Sequence, residues 1–310
     1  MNNITILVAL ITALGAAIPA MAKEAQSPEV DSALTEQAAQ SPLRLSVSAG
    51  GSGQTEADID SGGSFSLYHL NSGFTAPIRL DEISVLRSSI KYDFASYDFS
   101  DIPAPWENIH TFSFVSIYEW EGNGSWSYYA GGLVRVAAES GADAVDATTG
   151  GGLTGATYEY SDTLTLGAGL LGMSQIEEDA TVVPLITAKW KFADDWRLKL
   201  GLNDVATGGY GVAAIWNMAP EWVFSFGGNM HKSRFRIDGT DVTRNGVGQE
   251  SSVLLYTDAT YHATSDVDVT GYLGTVGGGE LQIEGSSGHE IYKKDYDPAL
   301  LLGVKVTVKL

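Results

Sequence analysis

The side chains in this chain best suited to catalysis are its five histidines, His69, His110, His231, His262 and His289. Hydrolysis through a serine needs a base within hydrogen-bond reach and a third group that orients the base. Residues 285–290, Gly-Ser-Ser-Gly-His-Glu, supply all three types. Neighbours within one loop cannot easily form that geometry, and no Gly-x-Ser-x-Gly elbow is present. We therefore expect no enzyme, and an enzyme is the least favoured alternative.

Metal, cofactor and nucleic-acid chemistry are also poorly supported by the sequence. No two histidines have a metal-ligand spacing, and there is no phosphate-binding loop. Acidic residues outnumber basic ones by 38 to 18, which argues against nucleic acid as a partner because phosphate neutralisation needs a basic surface. The chain has no cysteine and hence no disulfide. We expect neither a cofactor nor a bound metal.

The amino terminus indicates export. An apolar run from Ile4 to Ile18 precedes Ala20-Met21-Ala22, which resembles a signal peptide over residues 1–22. Because no Lys or Arg precedes the run, an uncleaved membrane anchor is the alternative, although a helical span needs about 20 apolar residues. Residues 23–42 are polar and without periodicity, which predicts a flexible periplasmic leader. The domain to be explained is residues 43–310.

The carboxyl terminus indicates a strand that faces lipid. Val304, Val306, Val308 and Leu310 alternate with Gly303, Lys305, Thr307 and Lys309, so one face of the strand is apolar. Outer-membrane barrels end in such a strand, which closes the barrel. We predict that Val306, Val308 and Leu310 form the signal that the barrel-assembly machinery recognises.

Alternating segments of barrel-strand length run along the rest of the domain. They predict an all-β fold, an antiparallel up-and-down transmembrane β-barrel of about fourteen strands. Twelve strands is the alternative, because the first two segments are the weakest. The predicted strands are 43–50, 64–71, 83–94, 108–120, 125–138, 153–160, 163–174, 182–192, 196–203, 209–218, 222–236, 250–263, 267–277 and 300–310.

The connections between these segments alternate in length. Short ones fall at 121–124, 161–162, 193–195, 219–221 and 264–266, and long ones fall at 51–63, 95–107, 139–152, 237–249 and 278–299. Outer-membrane barrels have short periplasmic turns and longer external loops. An even number of strands with both termini in the periplasm places every long connection outside.

Tryptophans lie at the predicted strand ends, where membrane-interface belts form because the ring is apolar and its N–H is polar. Trp106 lies near such an end. Six others are predicted to face the lipid interface: Trp120, Trp126, Trp190, Trp196, Trp216 and Trp222.

The opposite face of the strands predicts a modestly basic lumen beneath acidic loops. The candidate pore-lining residues are Arg87, Lys91, Arg135, Lys189, Lys191, Arg197, Lys199, Asp258 and Lys305. Charged rings in a pore set ion preference, so one interpretation is a water-filled pore that favours anions. The alternative, given equal weight, is a lumen of paired charges that braces the wall and conducts nothing.

Arg234 and Arg236 fall on the outward parity of their strand near its external end. They could bind anionic headgroups or lipopolysaccharide phosphates as forked donors. A bulge that returns them to the loop is slightly preferred.

Residues 182–274 resemble a family of uncharacterised Gram-negative outer-membrane β-barrel proteins. The resemblance rests on Pro-Leu-Ile-Thr-Ala-Lys-Trp at 184–190, Asp-Trp-Arg-Leu-Lys-Leu-Gly at 195–201 and Glu-Trp-Val-Phe-Ser-Phe-Gly at 221–227, with Phe-Arg at 235–236. The chain departs from the pattern at 202–205, Leu-Asn-Asp-Val, where a proline is expected. The family has no assigned activity, so the resemblance implies a fold and a location and no active site.

Together these patterns predict a bacterial outer-membrane protein in contact with lipid and lipopolysaccharide. The leading function is porin-like passive passage of small solutes of unknown identity, and anionic solutes are one interpretation of the inner charges. The first alternative is a non-conducting structural or adhesive barrel.

Overall fold

The computed structural model describes residues 43–310 except 61, 204–208 and 240–242. The predicted signal peptide and leader therefore lie outside the described residues, as does most of the 202–205 departure from the family pattern. Within the described residues no helix is long and apolar enough to cross a membrane.

Fifteen strands lie within the described residues, and each predicted segment overlaps one of them. They are β1 (Ser46–Asp58), β2 (Ser64–Arg79), β3 (Ser84–Ser100), β4 (Asn108–Glu121), β5 (Trp126–Glu139), β6 (Thr148–Ser161), β7 (Leu164–Gln175), β8 (Glu178–Ala193), β9 (Trp196–Asn203), β10 (Gly209–Ala219), β11 (Trp222–Arg236), β12 (Val247–His262), β13 (Val267–Glu284), β14 (Glu290–Tyr296) and β15 (Ala299–Lys309).

The strands form one closed sheet. Strands β1 to β13 pair antiparallel with their sequence neighbours, and β15 pairs with both β13 and β1. Strand β14 continues the line of β15, because β13 pairs with β15 through residues 267–276 and with β14 through residues 279–284. Ile59, next to β1, also pairs with Tyr296 of β14. The wall therefore has fourteen positions, as predicted, and the last is divided between β14 and β15.

The prediction that residues 278–299 form one long loop was wrong, because most of them are paired in strands. Residues 279–284 extend β13, β14 runs antiparallel to them, and only residues 285–289 turn between the two. The reason is visible in the burial, since Leu281 and Ile283 are buried and alternate with charged or amide side chains. The composition of this segment, rich in Gly and Glu, is typical of a loop. It nevertheless forms a strand, because β14 provides hydrogen-bond partners for its backbone.

The two faces of the wall differ as the alternation predicted. Outward side chains such as Phe112, Phe114 and Leu302 are exposed, whereas the residues between them, such as Ser113 and Val115, are buried. The closing strand follows the rule, with Leu300, Val304, Val306 and Leu310 exposed on the outside. This exposed apolar surface is what a lipid-facing wall requires.

The barrel narrows at the end that carries the long loops, which we call the long-loop end. Strand β9 has only 8 residues and pairs with β8 only through residues 188–193. Beyond β10, the end of β11 crosses to β5 and forms a parallel contact, Arg236 with Ala138. The ends of β6, β7 and β8 then lie against the outer face of β11, and we call these ends the flap.

A buried apolar core fills the narrowed end. Most of its members are inward-facing residues of β1 to β5 and β11 to β15, including Phe65, Tyr97, Phe235, Leu254 and Leu281. A second buried cluster lines the inside of β4 to β8 with Val115, Ile117, Tyr129, Leu133, Leu153, Leu171, Met173 and Leu185. Tyr210 of β10 packs against this second cluster.

Tyrosines inside the barrel lie flat over glycines on the neighbouring strand. Tyr129 pairs with Gly155, Tyr256 with Gly227 and Tyr272 with Gly303. A Cβ built on Gly155 would lie 2.6 Å from the carbonyl oxygen of Ala168 and closer still to the Tyr129 hydroxyl. Glycine is thus required where a large ring fills a concave wall.

We predict that Gly155→Ala destabilises the barrel by about 1–3 kcal/mol, because overpacking against backbone cannot be relieved by a rotamer change. The midpoint of heat-modifiable gel migration measures the effect. Gly53→Ala is the matched control, since nothing lies within 4 Å of its added Cβ. Equal midpoints for both variants would contradict the proposed packing.

Candidate functional site

The nine candidate pore-lining residues occupy inward positions of the wall. Arg87 donates from Nε to Glu119 Oε2 at 3.1 Å, and Arg197 donates to Asn217 Oδ1 at 2.9 Å. Lys191 lies 3.9 Å from Asp194 near a short turn, and Arg135 is buried at the long-loop end. Asp258 is also buried, and the register places the remaining four inward: Lys91, Lys189, Lys199 and Lys305. Their role as a pore lining stays a prediction.

Two of these lysines are placed directly opposite one another. The register pairs Lys189 of β8 with Lys199 of β9. Like charges opposite each other on paired strands destabilise the pairing. The register thus brings two lysines together on the inner face, and the carboxylate of Glu119 is close enough to interact electrostatically with Lys189.

The end with the short turns is fastened by a charged seam. Asp268 of β13 accepts from Lys309 of β15 at 2.7 Å and lies 2.6 Å from Nδ1 of His262 on β12. Arg44 and Asp266 form a more exposed ion pair beside it. The seam links the closing strand to β13 and β12.

The apolar core at the long-loop end encloses one carboxylate. Glu250 is 2% exposed and accepts hydrogen bonds from the hydroxyls of Tyr97 and Tyr296, the latter at 2.8 Å. A buried carboxylate is costly unless charges or donors compensate it. Among the described residues, Glu250 and Glu284 are the glutamates that are at most 3% exposed.

Trp106 belongs to this core, and its placement near an interface belt was wrong. The side chain is 1% exposed and makes edge contacts with Tyr97, Phe99 and Phe235 at ring distances of 5.7, 5.9 and 5.2 Å. Trp106 precedes β4 in a long connection, so the narrowed wall encloses it. The sequence signal that separates it from the other tryptophans is the absence of a short turn beside it.

The other six tryptophans lie in a band around the short-turn end. Trp196 and Trp216 stack at 5.6 Å across β9 and β10, and Trp222 contacts Tyr261 at 4.8 Å. Trp120 and Trp126 contact Tyr128, and Trp190 contacts Phe192. Such a band suits a membrane interface, which stays a prediction for these residues.

Arg234 and Arg236 do not reach lipid, so both earlier interpretations were wrong. Strand β11 pairs with β12 without a register shift to its end, which excludes a bulge. Arg234 instead makes ion pairs with Glu284 at 2.6 Å and Glu178 at 3.4 Å, and Arg236 pairs with Glu177 at 2.7 Å. The prediction that both arginines face outward was correct, but the flap covers the outer face of β11 at this point. Three glutamates of the long connections, Glu177, Glu178 and Glu284, are therefore ion-pair partners of these arginines.

The serines, the histidine and the glutamate of residues 285–290 lie in the turn between β13 and β14 and at the start of β14. Gly285 and His289 close the β13–β14 turn with a 2.9 Å backbone hydrogen bond, and Ser286, Ser287 and His289 are exposed. Among the described residues, no three histidine, aspartate or glutamate side chains are grouped to hold a metal ion.

No protein-family model matches this chain, and no curated protein matches it. An outer membrane channel from Pseudomonas putida F1 is structurally similar, with 10% identity, a TM-score of 0.51, and coverage of 91% of this chain and 100% of that one. The fold is that of an outer-membrane β-barrel. A Pseudomonas aeruginosa FadL homologue is similar over 86% of this chain and 90% of its own, with 8% identity and a TM-score of 0.49.

We predict that Asp268→Asn lowers stability by about 1–2 kcal/mol, because it weakens two charge-assisted hydrogen bonds at a half-buried seam. Urea unfolding followed by tryptophan fluorescence measures the loss. Asp266→Asn, in the exposed pair with Arg44, is the control and should cost less than about 1 kcal/mol. A larger loss in the control would show that the seam is not the stronger fastening.

We predict that Arg234→Met costs about 3–5 kcal/mol, because it leaves the buried carboxylate of Glu284 without its cation. Arg44→Met removes an exposed cation and should change stability by less than about 1 kcal/mol. Protease cleavage at the flap tip, residues 176–178, should rise in the Arg234 variant. Unchanged cleavage would show that this arginine does not hold the flap.

Proposed function

We propose that this protein is a channel of the bacterial outer membrane that passes small anionic solutes and is closed at its long-loop end in the state described. The observation that carries the proposal is the directly opposed pair Lys189 and Lys199 on the inner wall. Sheet stability disfavours this pairing, whereas a positive lumen concentrates anions. The fold shared with an outer membrane channel supports the same conclusion.

The distribution of the other inner charges agrees with an anion preference. Below the apolar core, basic side chains on the inner face outnumber acidic ones. The basic set comprises Arg87, Lys91, Lys189, Lys191, Arg197, Lys199, Lys305 and Lys309, and the main acidic set comprises Asp93, Glu119, Asp258 and Asp268. Field lines from such a wall extend into a lumen more readily than into bulk water.

Passage requires the apolar core to move, because a charged solute cannot cross a packed aromatic interior. We assign the start of this movement to the surroundings of Glu250, whose buried carboxylate has tyrosine hydroxyls as its partners. Strand β14 lies directly beside it, because its Tyr296 is one of those partners, and the turn at residues 285–289 joins β14 to β13 in a hairpin. We assign the movement that opens the channel to this hairpin.

The first alternative is a barrel that conducts nothing, and the buried core itself favours it. The core includes Trp106 and Phe235, both at most 1% exposed, and it would brace the wall permanently. Paired charges such as Arg87 and Glu119 would serve the same purpose.

Location and assembly belong to the same proposal. A cleaved signal peptide delivers the chain to the periplasm, and the exposed side chains of Val306 and Leu310, together with Val308, are offered to the assembly machinery. The outer wall then contacts lipid and lipopolysaccharide. We propose no catalytic activity.

Planar-bilayer recording of the refolded protein tests the channel. Wild type should show rare conductance steps, and the double variant Trp106→Ala/Phe235→Ala should open more often because its core is weakened. In a potassium chloride gradient the reversal potential should indicate anion preference. Lys189→Gln/Lys199→Gln should reduce that preference without closing the channel.

Each of the contrary results has a distinct meaning. A weakened-core variant that remains heat-modifiable and never conducts would reject the channel and support the structural barrel. Cation-biased reversal potentials would reject the basic lumen as the selectivity element. An unchanged preference in the lysine variant would move selectivity to other residues.

A further inference from the structure

Two histidines from different parts of the wall meet inside the barrel, next to the apolar core. His69 lies on β2 and is the next inward residue after Leu67 of the core. His231 lies on β11, two inward positions from Phe235 of the core. The two side chains are close enough to interact electrostatically, although β2 and β11 are not paired with each other. We call them the histidine pair, and both members belong to the residue type that gains charge between neutral and acidic pH.

The histidine pair is enclosed by uncharged polar groups. His231 is 9% exposed, and Nε2 of His69 is buried without a hydrogen-bond partner among the described residues. The register places Ser52 of β1 beside His69 and Ser252 of β12 beside His231, and both serines are buried. Serine hydroxyls supply no charge that balances an imidazolium. Neutral rings therefore fit this layer, whereas a proton on either ring places a charge where burial makes it costly.

Charged and titratable side chains of the surrounding strands also face the interior near the histidine pair. By register and contact they are Glu250 of β12, Asp93 of β3, Arg135 of β5, Lys294 of β14 and Lys305 of β15, with the hydroxyls of Tyr97, Tyr256, Tyr272 and Tyr296. The nearest along the register is Glu250, one inward position beyond Ser252. Its carboxylate already accepts hydrogen bonds from Tyr97 and Tyr296. Within the described part of the chain, the electrostatic influence on His69 comes from His231 and not from a carboxylate.

We propose that the histidine pair is a pH-sensitive lock, which keeps the channel closed at neutral pH and releases it in acid. Neutral rings need no counter-ion in the closed state. When both rings carry protons, like charges face each other in a layer that does not neutralise them. A charged ring also draws the Glu250 carboxylate away from Tyr296, which belongs to the hairpin assigned to the opening movement. The inference rests on the channel function proposed above and adds its regulation.

The direction of the effect follows from proton binding in the two states. Opening exposes the rings to water, where a histidine binds a proton near pH 6.5, about its ordinary value. The closed state binds fewer protons, so the ratio of open to closed channels rises as the pH falls. Each ring that binds its proton only in the open state raises this ratio by about tenfold for each pH unit below that value.

Planar-bilayer recording of the refolded full-length protein at neutral pH and at about pH 5 tests the lock, because an exposed histidine titrates between the two. The open fraction of the wild type should rise by about tenfold or more in acid. His69→Gln/His231→Gln keeps polar side chains that cannot gain a charge, and it should lose most of the acid response. His231→Gln alone leaves one ring and should respond less than the wild type.

Two single variants are the controls. His110 lies on the outer face and is bonded to Tyr92 and Ser140, so His110→Gln should respond to acid as the wild type does. His262 belongs to the charged seam with Asp268, and His262→Gln should also keep the response. A response that is lost in His262→Gln and kept in the double variant would assign it to the seam and overturn the lock.

Heat-modifiable migration gives a second measurement that needs no conductance. Its midpoint should fall further on acidification in the wild type than in His69→Gln/His231→Gln, because acid destabilises the closed core through the histidine pair. Equal shifts in both proteins, with an open fraction that does not depend on pH, would overturn the lock. If Trp106→Ala/Phe235→Ala conducts while the wild type opens equally at both pH values, the lock fails and the channel stands. If no variant conducts at either pH, the channel itself is rejected, and the lock with it.

Discussion

The pairing of the closing strand with both of its neighbours is the constraint on which the rest of this structure depends. Within hydrocarbon no water is available to backbone N–H and C=O groups, so a spanning sheet must have no free edge. Strand β15 meets this demand by pairing with β1 and β13, and β14 extends the closure where β15 ends. Closure then fixes the two-residue period of every strand, since each side chain must face either lipid or lumen.

Fourteen wall positions enclose more space than inward side chains fill easily, and the chain reduces that space at one end. Short β9 and β10 let β11 cross to β5, so the interior there is small enough for rings such as Trp106 and Phe235 to pack. The same crossing turns the outer face of β11 into a buried surface beneath the flap. This explains why Arg234 and Arg236 require glutamate partners, because an unpaired guanidinium would be costly there.

A feature could be predicted from the sequence when neighbouring residues determine it, and could not be predicted when a segment distant in the sequence determines it. The faces of Phe112 or Leu302 follow from a local period of two, and the strand number follows from turn spacing, so both were correct. The surroundings of Arg234, Trp106 and Tyr210 depend on which distant strand lies against them. Whether a residue is at an odd or an even position in its strand tells on which side of the wall it lies, but it does not tell which other segment covers it. The pairing of β11 with β5, which are far apart in the sequence, leaves no pattern in the residues of either strand.

The charges inside the barrel separate the two alternatives, a non-conducting barrel and a channel, more clearly than the aromatic core does. A wall selected only for stability would oppose unlike charges, as Arg87 and Glu119 or Lys309 and Asp268 do. Lys189 opposite Lys199 works against the pairing of β8 with β9, which is already the shortest ladder between sequence neighbours in the described wall. Natural proteins keep such local conflicts mainly at functional sites. In the channel that we propose, an anion would be held at this position, on the inner face beneath the apolar core, before the core opens.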